Sequence, residues 1–402
     1  MNSNIQIEVF PASEGDAFLL SFDETHILID VGVYNTYHNF VKARIESLAK
    51  DLGKIDLMVV THIDQDHIEG AIELITENGS STESSLIQID QVWHNSYRHL
   101  QFSKENQLKE AEKEILREII SNGKKHIKQT SNESQEISAK QGSSLASLLL
   151  AGRYSWNSSF QGEAINLDSF DNVSFPNFSL RLLSPDTSKL ERLSKKWEKE
   201  LLKKKYNFTF SKDKIFDDAF EFGLLMGSST EEKESHIQIS REKIQWDVLL
   251  SEDDEKNDKS PTNGSSIAFI IEAQKKKMLF LGDAHQDIVI KQLENIKEES
   301  EDRIYFDLVK ISHHGSSNNT NTKLLNLIDC PKFIISTDGS KHGHPDLSTL
   351  AKIIQNSRGN EIKIYCNYIT QNSKIVEDLI EKNNNNCTIV YPSEDGVLKI
   401  EV

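Results

Sequence analysis

Apolar residues fall into short strand-like runs at both ends of the chain, and two long polar stretches separate these regions. At the start, IQIEVF and AFLLSF alternate or run apolar around the turn PASEGD, and HILIDVG reads as a buried strand ending in Asp30 and Gly32. NFVKARIESLAKDLG has apolar residues at helical spacing and a glycine at its end. LMVVT is a further strand, IEGAIELITE returns to helical periodicity, and QIDQVWHN is another strand candidate. Late in the chain, SIAFIIEA and MLFLGDA read as a hairpin around QKKK. FDLVKISHHGS, KFIISTDG and KIYCNYI follow as strands, and TIVYPSEDGVLKIEV reads as a closing hairpin. Between these regions only FSLRLLSPD is strand-like. The pattern predicts a layered α/β fold, one core across residues 1–402 with polar insertions at about 101–172 and 187–262. No period of 20–50 residues marks a repeat array.

Composition fits this reading: 37% hydrophobic and 27% charged residues suffice for a core with hydrophilic additions. No apolar run approaches the ~20 residues that span a bilayer. The N-terminal stretch has no signal-peptide character, so a cytoplasmic location without membrane contact is expected by elimination. The three cysteines are far apart and suggest neither a disulfide framework nor a zinc knot. A net charge of −17 argues against a broad DNA footprint, although bound divalent cations reverse a local field.

The chemistry concentrates in THIDQDH. His62, Asp64, Asp66 and His67 are four good metal ligands within six residues, directly after a buried strand. There His62 and Asp64 can face one ion, and Asp66 and His67 a second. Open α/β sheets place their sites at such strand ends. His94 also ends a strand and can complete the shell of the first ion.

This segment resembles the His-x-[His/Asp]-x-Asp-His signature of the metallo-β-lactamase superfamily. With Asp64 at its third position it is similar to the version in the hydrolase domain of the competence protein ComEC and its relatives. EGDAFLL, ILIDVG, FSLRLLSPD, NGSSIAFII, MLFLGDA, VKISHHGS and ISTDGSKHGHPD resemble further pieces of that group in the same order. The resemblance implies a four-layer αββα sandwich of two mixed sheets. It makes Asp283 the carboxylate that bridges two ions and one of His313 and His314 a ligand of the second, with His313 preferred. It gives Asp30 the task of bracing the ligand loop, and lets His344 stabilise charge or protonate a leaving group. His285 is expected at the surface, and the basic run Lys195–Lys205 as a solvated helix face in preference to the phosphate-binding face it could also form. Trp93, Trp156, Trp197 and Trp246 are expected in packing.

Three carboxylates beside imidazoles form a harder donor set than histidines alone, which tilts the expected pair of divalent ions from zinc toward manganese. Two ions sharing a hydroxide suit hydrolysis. The expected activity is a phosphodiesterase or nuclease, in nucleic-acid turnover or bacterial defence against foreign DNA. Its partner is then a nucleic acid or another phosphodiester. The competing readings are a small-molecule hydrolase (lactonase, thioesterase or cyclic-nucleotide phosphodiesterase) and a metal-dependent binding or assembly protein whose insertions hold a protein partner.

Overall fold

The computed structural model describes residues 4–100, 110–130, 143–203, 213–228, 246–251, 256–298, 302–383 and 385–402. The first sheet contains β1 (Gln6–Val9), β2 (Ala17–Phe22), β3 (Thr25–Val31), β4 (Leu57–Val59) and β5 (Val92–Trp93). The second contains β6 (Asn172–Ser174), β7 (Phe178–Ser184), β8 (Ala268–Ala273), β9 (Lys276–Phe280), β10 (Leu308–Lys310), β11 (Lys332–Ile335), β12 (Ile362–Cys366) and β13 (Cys387–Val390). The last strand, β14 (Leu398–Glu401), returns to the first sheet, whose six strands run in the order β14-β1-β2-β3-β4-β5. The eight-stranded partner runs β13-β12-β11-β10-β9-β8-β7-β6. Each sheet is antiparallel over its earlier strands and turns parallel, at β3/β4 and at β9/β10.

Side chains alternate across these strands, so each sheet has two apolar faces to bury. Ile27 and Ile29 of β3 point inward with Phe18, Leu180, Phe269 and Phe280, forming the core between the sheets. Phe18 meets Phe280 edge-on with centroids 5.7 Å apart. Leu28 and Val31 point the other way, toward α1 (Lys42–Lys50) and α2 (Gln65–Asn78). The outer face of the second sheet is covered by α7 (Gln286–Ile296), α8 (Leu347–Asn356) and α9 (Gln371–Asn383). The layers are helix, sheet, sheet, helix, as expected.

The insertions are less peripheral than their polarity suggests. Helices α3 (Glu110–Thr130) and α6 (Ile215–Ser228) pack on each other. Leu116, Ile119, Phe216 and Phe220 join the outer core of the first sheet, together with Trp197 of α5 (Thr187–Lys203). Residues after α4 (Leu145–Ala151) go further, since Phe160 and Ile165 enter the core between the sheets. Trp93 and Trp197 are fully buried. Trp156 and Trp246 are partly buried against the outer cores.

Two sequence expectations change. The closing segment is not a hairpin: β13 pairs with β12 in one sheet, and β14 crosses to pair with β1 in the other. Its last strand covers the open edge of β1, an exposed row of backbone donors and acceptors that a hairpin would have left bare. QIDQVWHN shrinks to the two-residue β5.

Candidate metal centre

Every residue of the candidate site follows the carboxyl end of a strand. β4 runs through Thr61 and His62 into α2, whose N-cap is Asp64. β9 leads through Gly282 to Asp283, β10 to His313 and His314, and β11 to the loop that carries His344. Gly282 is required at the second of these turns: its φ is +48°, and a Cβ would lie 2.4 Å from the Ser266 hydroxyl. That hydroxyl accepts the Asp283 backbone N–H at 3.0 Å. Gly15 lies so close to the Asp66 carbonyl that a Cβ would overlap it.

Asp283 is the centre of the cluster. Its Oδ2 lies 3.3 Å from His314 Nε2, 3.6 Å from His67 Nε2, 3.7 Å from His62 Nε2 and 3.9 Å from His313 Nε2. Asp64 Oδ2 is 3.5 Å from His62 Nε2, and Asp66 Oδ2 is 3.7 Å from His314 Nε2 and 3.8 Å from His67 Nε2. Among the described residues, His62, His67 and Asp283 bring ligand atoms within 4.8 Å of one another, as do Asp66, His67 and His314.

The far nitrogens of these rings are all engaged by acceptors. The Thr61 hydroxyl donates to Asp30 Oδ2 at 2.7 Å, so it accepts from His62 Nδ1 at 3.1 Å. His67 Nδ1 donates to Asp30 Oδ2 at 2.9 Å, His314 Nδ1 to the Ser336 carbonyl at 2.8 Å, and His313 Nδ1 to Asn319 Oδ1 at 2.9 Å. With Nδ1 held by these acceptors, each ring presents Nε2 toward Asp283, the nitrogen that offers a lone pair to a cation when it carries no proton. His62 Nε2, His67 Nε2, Asp64 Oδ1 and Asp283 Oδ1 are buried without a hydrogen-bond partner. Orphaned acceptors converging in this way fit a metal centre.

Charge points the same way. The carboxylates of Asp16, Asp30, Asp64, Asp66 and Asp283 crowd together here, and the buried Lys310 ammonium pairs with Asp16 and lies 4.0 Å from Asp283. Burial opposes charge on His67, but the carboxylates of Asp283, Asp66 and Asp30 override it and lift its pKa well above the ordinary 6.5. His314 rises against burial in the same way, mainly through Asp283. Burial would raise the carboxyl of Asp66, yet His67 and His314 pull it down to about 2. A bound cation must therefore displace imidazole protons. Metal affinity is expected to weaken as the pH falls from ~8 through 6.5, with net proton release on binding. Calorimetry in buffers of different ionisation enthalpy reads both, and affinity that rises on acidification would contradict this ligand set.

The structure brings together His62, Asp64, Asp66, His67, Asp283, His313 and His314. It reverses the order expected for the histidine pair: His314 lies 0.6 Å nearer to Asp283 (3.3 against 3.9 Å) and groups with Asp66 and His67. Both residues have left-handed backbones, φ 46° and 57°, and this tight turn swings the second ring inward. His94 is set apart. Its Nε2 lies 3.2 Å from Glu221 Oε1 of α6, and its ring stacks near Trp156. His344 is buried behind His313, with ring centroids 5.6 Å apart and Nδ1 3.1 Å from Asp346 Oδ1. His285 is buried rather than exposed, because Lys189 of α5 reaches its Nδ1 at 3.0 Å. Lys204 and Lys205 of the basic run lie outside the described residues, and Lys196 lines the cleft over Asp66 and Asp283 rather than facing solvent alone. Asp16, Lys310, Glu14, Lys341 and His342 were not singled out by sequence.

A family model described as the metallo-beta-lactamase superfamily matches residues 11–82, the segment from the first turn through the ligand loop and α2. No curated protein matches the chain. Among solved structures, a CmlA beta-hydroxylase E377D mutant is similar at 11% identity and a TM-score of 0.37, covering 99% of this chain and 54% of its own. This chain therefore spans about half the length of that protein. A protein of unknown function from Enterococcus faecalis V583 is similar at 9% identity and a TM-score of 0.27, covering 97% of this chain and 88% of its own. Neither likeness is close enough to carry an argument about activity. No described helix is long and apolar enough to cross a membrane. The two facing sheets with helices outside them form the layered sandwich expected of the metallo-β-lactamase fold, and residues 11–82, which carry the ligand loop, match that superfamily's model.

Proposed function

We propose that this chain is a metal-dependent phosphodiesterase that acts on nucleic acid. The observation that carries the reading is the convergence of imidazole Nε2 atoms and orphaned carboxylate oxygens on Asp283. In this reading His62, Asp64 and Asp283 hold one divalent ion, and Asp66, His67, His314 and Asp283 the other. The carboxylate share of this set favours manganese over zinc. Ions bound there would supply a hydroxide at neutral pH and Lewis-acid polarisation of the attacked phosphoryl group. The protein's own part is orientation. Asp30 fixes Thr61 and His67 together, Asn319 aims His313, and Asp346 holds His344 Nδ1 so that its Nε2 is the atom able to protonate a leaving oxygen. The choice of phosphodiester rests on the likeness of THIDQDH, MLFLGDA and VKISHHGS to the ComEC-like motifs, and on the lysines at the cleft. Turnover of nucleic acid, including defence against foreign DNA, would be the setting for such an activity.

The test is a hydrolysis panel with manganese and with zinc, using single- and double-stranded DNA, RNA, bis-nitrophenyl phosphate and a lactone. The phosphodiesters should be cleaved, and Asp66→Asn should lower that rate by on the order of 10²–10³. Cleavage of the lactone alone would establish the small-molecule reading. A folded Asp66→Asn protein within a few-fold of wild type would leave the cluster a structural one and favour a binding protein.

A further inference from the structure

We propose that Lys196 and Lys341 form a cationic rim that binds phosphates flanking the attacked one on a single nucleic-acid strand. The inference rests on the phosphodiesterase reading, and it names the substrate class and the residues that select it. Both lysines line the cleft that contains Asp64, Asp66 and Asp283. They are the two ammonium groups in a lining that also holds the carboxylates of Glu14, Asp64, Asp66 and Asp283.

Each lysine is carried by a braced segment. α5 packs on residues 261–264, where Thr262 and Asn263 border the same cleft. Two helical turns before Lys196, Lys189 on the same helical face is locked by both oxygens of Asp287, at 2.7 and 2.9 Å. Trp197, next to Lys196, is buried. Lys341 lies on the loop after β11. Its backbone N–H donates to Glu14 Oε1 at 2.6 Å, and the other Glu14 oxygen accepts from the Thr337 hydroxyl at 3.0 Å. Further along, Asn372 donates to the carbonyls of Gly343 and Pro345 at 2.9 and 3.0 Å. Glu14 is thereby committed to holding the loop, while the lysine side chain stands at the cleft.

The chemistry selects a strand. A substrate with one phosphate spends its charge on the ions and offers these lysines nothing. A polynucleotide carries a further phosphate on each side of the scissile one. Asp283 is only 3% exposed, so the attacked group must enter the cleft. A single strand bends into such a space, whereas a duplex must first be opened. One lysine belongs to an insertion and the other to the core, so selectivity depends on the insertion being seated.

The experiment compares octathymidylate with bis-nitrophenyl phosphate on the manganese-loaded chain across a salt series, for wild type, Lys196→Gln, Lys341→Gln and the double variant. Metal content is measured for each, and anisotropy of labelled octathymidylate with calcium in place of manganese reads binding apart from turnover. The double variant should raise KM for octathymidylate by about tenfold or more with kcat little changed, and should lower the slope of log KM on log salt by about 1.4, near 0.7 for each lost phosphate contact. KM for bis-nitrophenyl phosphate should stay within about twofold. An unchanged octathymidylate KM and slope, or equal losses on both substrates, would overturn the rim while leaving the phosphodiesterase reading intact. A wild-type chain that cleaves neither phosphodiester would overturn both.

Discussion

Asp283→Asn is expected to reduce the proposed hydrolysis by on the order of 10³-fold or more and to abolish binding of at least one of the two ions proposed for the site. The Asp283 carboxylate lies within 3.9 Å of four imidazole nitrogens, those of His62, His67, His313 and His314, and so reaches both halves of the cluster. Against burial, His314, His67 and His313 hold its carboxyl well below the ordinary range, which makes it a fixed negative charge at working pH. The amide keeps the shape and the Ser266 contact to its backbone, but it takes the charge away. The fold should survive, because the residue sits at a strand end and the core packs elsewhere. Elemental analysis and single-turnover rates on the best substrate are the measurements. Full metal content with near-normal turnover in a folded variant would remove Asp283 from the centre of the site.

Lys310→Met is expected to destabilise the metal-free protein by about 3–5 kcal/mol, because it leaves a buried carboxylate without its partner. Lys310 and Asp16 are each 1% exposed in their side chains. The ammonium also donates to the Gly282 carbonyl at 3.1 Å, beneath the turn that presents Asp283. Methionine fills the volume without the charge. Adding Asp16→Asn should restore part of the loss, since the second change removes the charge left unpaired. Urea unfolding in the presence of a chelator measures both steps. If the single change costs less than ~1 kcal/mol, or if the double variant is as unstable as the sum of its parts, the pair is not a coupled unit.

The legible parts of this protein were those written locally. THIDQDH places four donors in one turn, and apolar alternation in β3 and β8 sets the inward faces of the sheets without knowledge of their partners. Asp283 and the histidine pair were legible as polar residues following apolar strands. The order within that pair was not, because it depends on two consecutive left-handed residues that no spacing rule encodes. His94 ends a strand as the other candidates do, but its partner Glu221 lies 127 residues away in a helix of an insertion, a contact that local spacing does not reveal. Asp16 and Lys310 did leave a signal. Each is a charge at the border of an apolar strand, AFLL in one case and LVKI in the other, and two such charges of opposite sign can be satisfied by meeting. The polar insertions hid apolar faces at helical spacing, including Phe216 and Phe220, which complete the outer core.

The pairing of β1 with β14 has a bearing on how the molecule is made. Gln6 is matched with Glu401, so β1 obtains its outer neighbour from a strand synthesised long after it. At ~5–20 residues per second, a ribosome needs roughly 20–80 s to deliver that neighbour. Throughout that interval β1 can pair with β2 but presents a bare edge to other nascent chains, a template for intermolecular pairing until β14 arrives.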